Sequence, residues 1–152
     1  MNKIYGVVGS AVAGAGTGWV AMALWHWGMV EDARSCADSV TICFTLYPLA
    51  ALALWAVLAV PVLWLVLRVL NVRPLKATVP AAFLLQAWTL QILPLAGRDI
   101  PQPSALTLGA TALGPALVAV CAVPAWRRAG LITTGLLLAG TLVLMGNPET
   151  FL

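Results

Sequence analysis

His26 is the only histidine in the chain, and Glu31, Asp32 and Asp38 follow it within twelve positions. An imidazole beside carboxylates can hold a cation weakly or pass a proton to a substrate. On a continuing helix, one turn carries the chain from His26 to Val30, so the first two acids would lie close above it. Catalysis, if the chain has any, is expected from these four residues. A single imidazole with no second nitrogen or thiolate at ligand spacing does not make a metal site, and no metal or other cofactor is expected. The simpler expectation is an interfacial histidine bonded to a neighbour or to water. No segment resembles the strand–turn–helix elbow of a serine hydrolase.

Cys36 and Cys43 are the second chemical pair, with six residues between them. In an oxidising compartment they would form a lasting disulfide, tying a loop to the start of the next apolar run. Redox exchange with a thiol or a quinone is the sharper alternative. Membrane thiol oxidoreductases generally use a Cys-X-X-Cys pair, and the wider gap here disfavours that chemistry. Cys121 lies inside an apolar run, where a lone cysteine behaves as a small apolar residue.

Gln86 and Gln91 are amides inside one apolar run. In hydrocarbon their polar ends need partners, so they should meet other helices or line a wet cavity. Five residues apart, they fall on different though adjoining faces. The remaining pattern is one of small residues: Gly6, Ser10, Gly14 and Gly18 recur every four positions. On a helix such positions stack into one nearly flat face, which lets backbones approach closely in lipid. That face is expected to pack against a helix of the same chain, or else against a second copy or a partner. Gly14-Ala15-Gly16-Thr17-Gly18 is not a phosphate loop, because it lacks the Lys-Ser/Thr ending and a preceding strand.

The elements that must position these residues follow from composition. Apolar residues make up 62% of the 152 positions and charged residues only 9%. A soluble domain carries about a quarter charged residues, since it must cover its core with polar surface. This chain lacks that cover, and its natural solvent is lipid. The expected fold is all-α: a single polytopic bundle with spans at about residues 4–30, 41–70, 79–96, 105–126 and 131–145. The first span is expected to be retained rather than cleaved as a signal, because its apolar run is longer than a signal core. Pro48 and Pro61 should bend the second span. Ser104 is placed to cap the fourth. Arg127-Arg128-Ala129-Gly130 reads as a tight basic turn. The fifth run is short, with an interfacial placement as the alternative to a full crossing.

Sidedness follows from charge. Lys3, Arg68, Arg73, Lys76, Arg127 and Arg128 fall on one side of such a bundle. Glu31, Asp32, Asp38, Asp99 and Glu149 fall on the other, with only Arg34 and Arg98 as cations. Positive charge stays cytoplasmic, which puts the N-terminus inside and the C-terminus outside a multi-pass protein of the cell membrane. The net charge of +3 is spread over connections rather than pooled on one stripe, so nucleic acid is not an expected partner.

No span carries a charge at its centre, which disfavours pumps and ion-coupled transporters. The leading expectation is a non-catalytic membrane component: a scaffold, an accessory subunit of a larger complex, or a self-associating bundle. A membrane enzyme acting on a lipid, isoprenoid or quinone at the outer face is one alternative. An oligomeric channel or facilitator is the other. Whether the protein is an enzyme is not decided by sequence.

Overall fold

The computed structural model describes residues 3–37, 45–96 and 104–146. Among them are five helices and no strand: α1 (Lys3–Cys36), α2 (Tyr47–Val69), α3 (Leu75–Ala96), α4 (Ala105–Ala122) and α5 (Arg127–Gly146). Three of these, over Ile4–Cys36, Tyr47–Val69 and Ala105–Ala122, are long and apolar enough to cross a membrane. Asp38, Cys43, Arg98, Asp99 and Glu149 lie outside the described residues.

Several boundaries differ from expectation, each for a local reason. α1 runs on through Glu31 and Asp32 to Cys36, because its polar end contains no helix breaker. Pro48 does not bend α2. It sits in the first turn, where its missing N–H would be unpaired anyway, and only Pro61 is interior. The basic turn is displaced as well. Val123 is extended (φ −87°, ψ 116°), as the residue before a proline prefers. Pro124 therefore ends α4, and Arg127 opens α5 instead of lying in the connection. Ser104 caps α4 by accepting from the Thr107 amide, and Thr107 Oγ1 accepts in return from the Ser104 amide.

The end of α2 is equally specific. Asn71 takes the left-handed conformation (φ 56°), its amide donates to Arg68 O, and the Val72 amide donates to Leu67 O over 2.9 Å. These are the two bonds of a Schellman ending. The apolar contact that accompanies such an ending is present, since Val72 and Leu67 share one buried cluster with Leu63, Val79 and Val118.

α1, α2, α3 and α4 pack as a ring in which each touches the next and α4 returns to α1, while α5 packs on α4. Neighbours in the ring are antiparallel. Gly9 of α1 meets Leu70 at the end of α2, whereas Gly28 meets Tyr47 at its start. The buried stripe of α2 is Ala51, Trp55, Ala59, Leu63 and Leu67, one residue every fourth position. Trp55 stacks on Phe83 of α3 at 4.9 Å between ring centroids. Its Nε1 donates to Thr17 O over 3.1 Å. Most large side chains on the other faces, such as Leu65, Leu84, Leu106 and Leu136, are exposed. That is the surface a lipid solvent permits and water does not.

Candidate functional site

The centre of the ring is polar and fully bonded. Gln86 of α3 is completely buried and crosses to α1, where its Nε2 donates to Gly14 O over 2.7 Å and lies 2.8 Å from Thr17 Oγ1. The Thr17 hydroxyl also lies within reach of Gln86 Oε1 (3.1 Å) and of Ala13 O (2.9 Å). Thr89 Oγ1 donates to Gln86 O over 2.8 Å. Among the described residues no buried side-chain polar atom lacks a partner. A network closed in this way stabilises a particular helix arrangement.

Glycines make the crossing short enough. At Gly114 of α4 an added Cβ would stand 3.0 Å from the Gln86 backbone nitrogen, so α3 presses on α4 at the residue that sends its side chain across. At Gly14 an added Cβ would stand 2.9 Å from Pro115 Cγ and 3.0 Å from Thr111 O. Pro115 has no N–H to give the carbonyl four residues before it, which is that of Thr111. At Gly18 an added Cβ would overlap the Thr111 side chain.

The four small residues singled out by spacing thus have different surroundings. Gly14 and Gly18 lie against α4. Ser10 is buried and donates to Gly6 O over 2.7 Å. Gly6 has nothing within 4 Å of an added Cβ. Gly28, which falls outside the four-residue repeat, meets Tyr47 O and Ala51 at 3.1 Å. Gly130 lies against Cys121, whose Sγ would be 2.7 Å from an added Cβ, and Cys121 is a free thiol. The two amides also separate: Gln86 is buried and Gln91 is exposed.

The titratable residues near the end of α1 are not gathered on one face. His26 is exposed, and Glu31 and Asp32 lie about 140° and 240° around the helix from it. Glu31 pairs with Arg34 at 2.8 Å, in an exposed bridge that adds little stability. Asp32 accepts a hydrogen bond from Thr45 Oγ1, which holds the segment before α2 against α1. Nearby, Trp27 meets Tyr47 edge to face with ring centroids 6.0 Å apart. No group of three metal-ligating side chains comes together among the described residues. Cys36 lies in the last turn of α1, while Asp38 and Cys43 lie outside the described residues.

Between α1 and α2 runs a surface cleft of about 340 Å³, lined mostly by apolar residues such as Val20, Leu58, Val62 and Val66, with Thr17 among them and Trp55 and Ala59 alongside. Its walls offer van der Waals contact to hydrocarbon, and the hydroxyl of Thr17 is engaged with Gln86 and Ala13 O. Compared with known proteins, the chain matches no family model, no curated sequence and no solved structure.

Proposed function

We propose that the chain is a five-span protein of the cell membrane, N-terminus cytoplasmic and C-terminus outside, acting as a non-catalytic scaffold or accessory subunit. Its surface takes a protein partner, either a second copy or another subunit. The three long apolar helices support insertion. α3 and α5, with 22 and 20 residues, would measure about 33 and 30 Å, close to the roughly 30 Å hydrocarbon core. In this bundle Cys36 and Cys43 form a structural disulfide at the outer end.

The observation that carries the partner reading is the contrast between the two amides of α3. Gln86 is spent inside the ring, whereas Gln91 is exposed on an outer face it shares with Leu84. An amide left toward lipid is costly, and bonding to a neighbouring helix relieves that cost. α5 supports the same reading, because it packs on α4 and leaves Ile132, Leu136 and Val143 exposed.

The test is native mass measurement after purification from the source membrane in mild detergent. The expected result is a defined assembly, of several copies or with another subunit, that Gln91→Leu dissociates. A monomer with no protein partner would contradict the proposal.

A further inference from the structure

All described cations but one collect at a single end of the bundle. Arg68 and Arg73 lie where α2 passes to α3, Lys76 in the first turn of α3, and Arg127 and Arg128 in the first turn of α5. These five are exposed, and Lys3 opens α1 at the same end. Arg68 lies over the Trp64 ring at 4.9 Å, and Arg73 Nε donates to Asn71 Oδ1 over 3.0 Å. Neither contact neutralises a charge. The only ion pair among the described residues is Arg34 with Glu31, and it stands at the opposite end of α1.

Apolar surface begins directly beside these charges. Leu131 and Ile132 follow Arg128, Leu65 and Val69 flank Arg68, and all four are exposed. Trp64 and Trp126, also exposed, mark the boundary as aromatic side chains do at a membrane interface. The complementary ligand is anionic at one end and hydrocarbon alongside. A free phosphate, an acidic peptide or a nucleic acid meets only the first condition.

We infer that this end of the bundle binds the headgroups of anionic phospholipids, with Lys76, Arg127 and Arg128 as the charged contacts and the acyl chains lying on the outer faces of the helices. The inference rests on the membrane-spanning reading. Guanidinium groups suit a phosphodiester because they can donate two parallel hydrogen bonds to it.

The test is native mass spectrometry of the full chain, released from micelles holding equimolar phosphatidylglycerol and phosphatidylcholine with identical acyl chains. The wild type is expected to retain the anionic lipid about fivefold or more over the zwitterionic one. Lys76→Gln, Arg127→Gln and Arg128→Gln together should reduce that preference below about twofold, while Arg34→Gln at the other end leaves it unchanged. Without any substitution, raising salt to about 1 M should erase it, since charge attraction is then screened within a few ångströms. Equal retention of the two lipids by the wild type would overturn the inference, as would a preference surviving both the triple substitution and salt. Displacement of the lipid by inorganic phosphate or polyglutamate would also overturn it. Carbonate extraction of the chain from vesicles separates the two levels. An inserted chain without lipid preference refutes this inference alone, and a released chain refutes the spanning reading with it.

Discussion

Gln86 Nε2 donates to Gly14 O over 2.7 Å, joining α3 to α1 across a ring in which those two helices otherwise scarcely touch. Gly14 O belongs to the helix ladder of α1, so the side chain uses its second lone pair and leaves the ladder intact. Gln86→Leu keeps most of the volume and removes the bonds. The expected loss is about 1 kcal/mol, the scale of interhelical hydrogen bonds in membranes, seen as a lower melting temperature in detergent. Gln86→Ala also opens a cavity and should cost more, about 2–3 kcal/mol. Equal stability of all three proteins would show that the amide does not hold the ring.

Two glycines on one helix should answer the same substitution oppositely. Gly14→Ala puts a methyl against Pro115, Thr111 O and Ala112, with backbone among the obstacles. α1 and α4 must then separate, at a cost of about 1–3 kcal/mol. Gly16→Ala meets nothing within 4 Å and should stabilise the chain by about 0.5–1 kcal/mol through helix propensity. Thermal melts of both variants in one detergent check the pair, and a shift of the same sign in both would contradict the packing.

Cys121 reports the seat of α5. Gly130 lets α5 close over the thiol, so Gly130→Val should lift the helix and speed modification of Cys121 by a membrane-permeant maleimide several-fold. Cys36 and Cys43 are to be replaced by alanine in that measurement. An unchanged rate would mean that α5 does not cover Cys121.

The proposed link between Cys36 and Cys43 has a direct readout. Intact mass of the purified chain, alkylated without reductant, should show one blocked thiol, that of Cys121. With reductant it should show three. Three in both conditions would remove the disulfide.

The helices were legible because a bilayer demands long apolar runs, and the charge-bearing connections stand out against them. What the residues left open is which face of each helix turns inward. In water, polarity marks the outer face; in lipid both faces are apolar, and the amphipathic signal fades. Gln86 and Gln91 fall on adjoining faces, and which of them turns inward is decided by the packing of Gly114 on α3 and the bonds of Gln86 to α1. The four-residue spacing through Gly14 and Gly18 marked a close approach but not the partner, which is α4. Gly130 looked like a turn glycine because it follows Arg127 and Arg128. Pro124 is the stronger breaker and could have corrected this from the sequence, since it disfavours helix at Val123. The acids near His26 suggested a shared site by proximity along the chain. Helical rotation separates them, and Arg34 and Thr45 engage the two described acids.

Sidedness of single cysteines tests the five-span account most directly. In a chain whose native cysteines are replaced by alanine, Ser104→Cys stands at the start of α4 and Ala129→Cys just past its far end, in the first turn of α5. An impermeant maleimide applied to intact cells should label Ser104→Cys and reach Ala129→Cys only after permeabilisation. Labelling of both positions from outside, or of neither, would contradict a bundle that crosses the membrane between them.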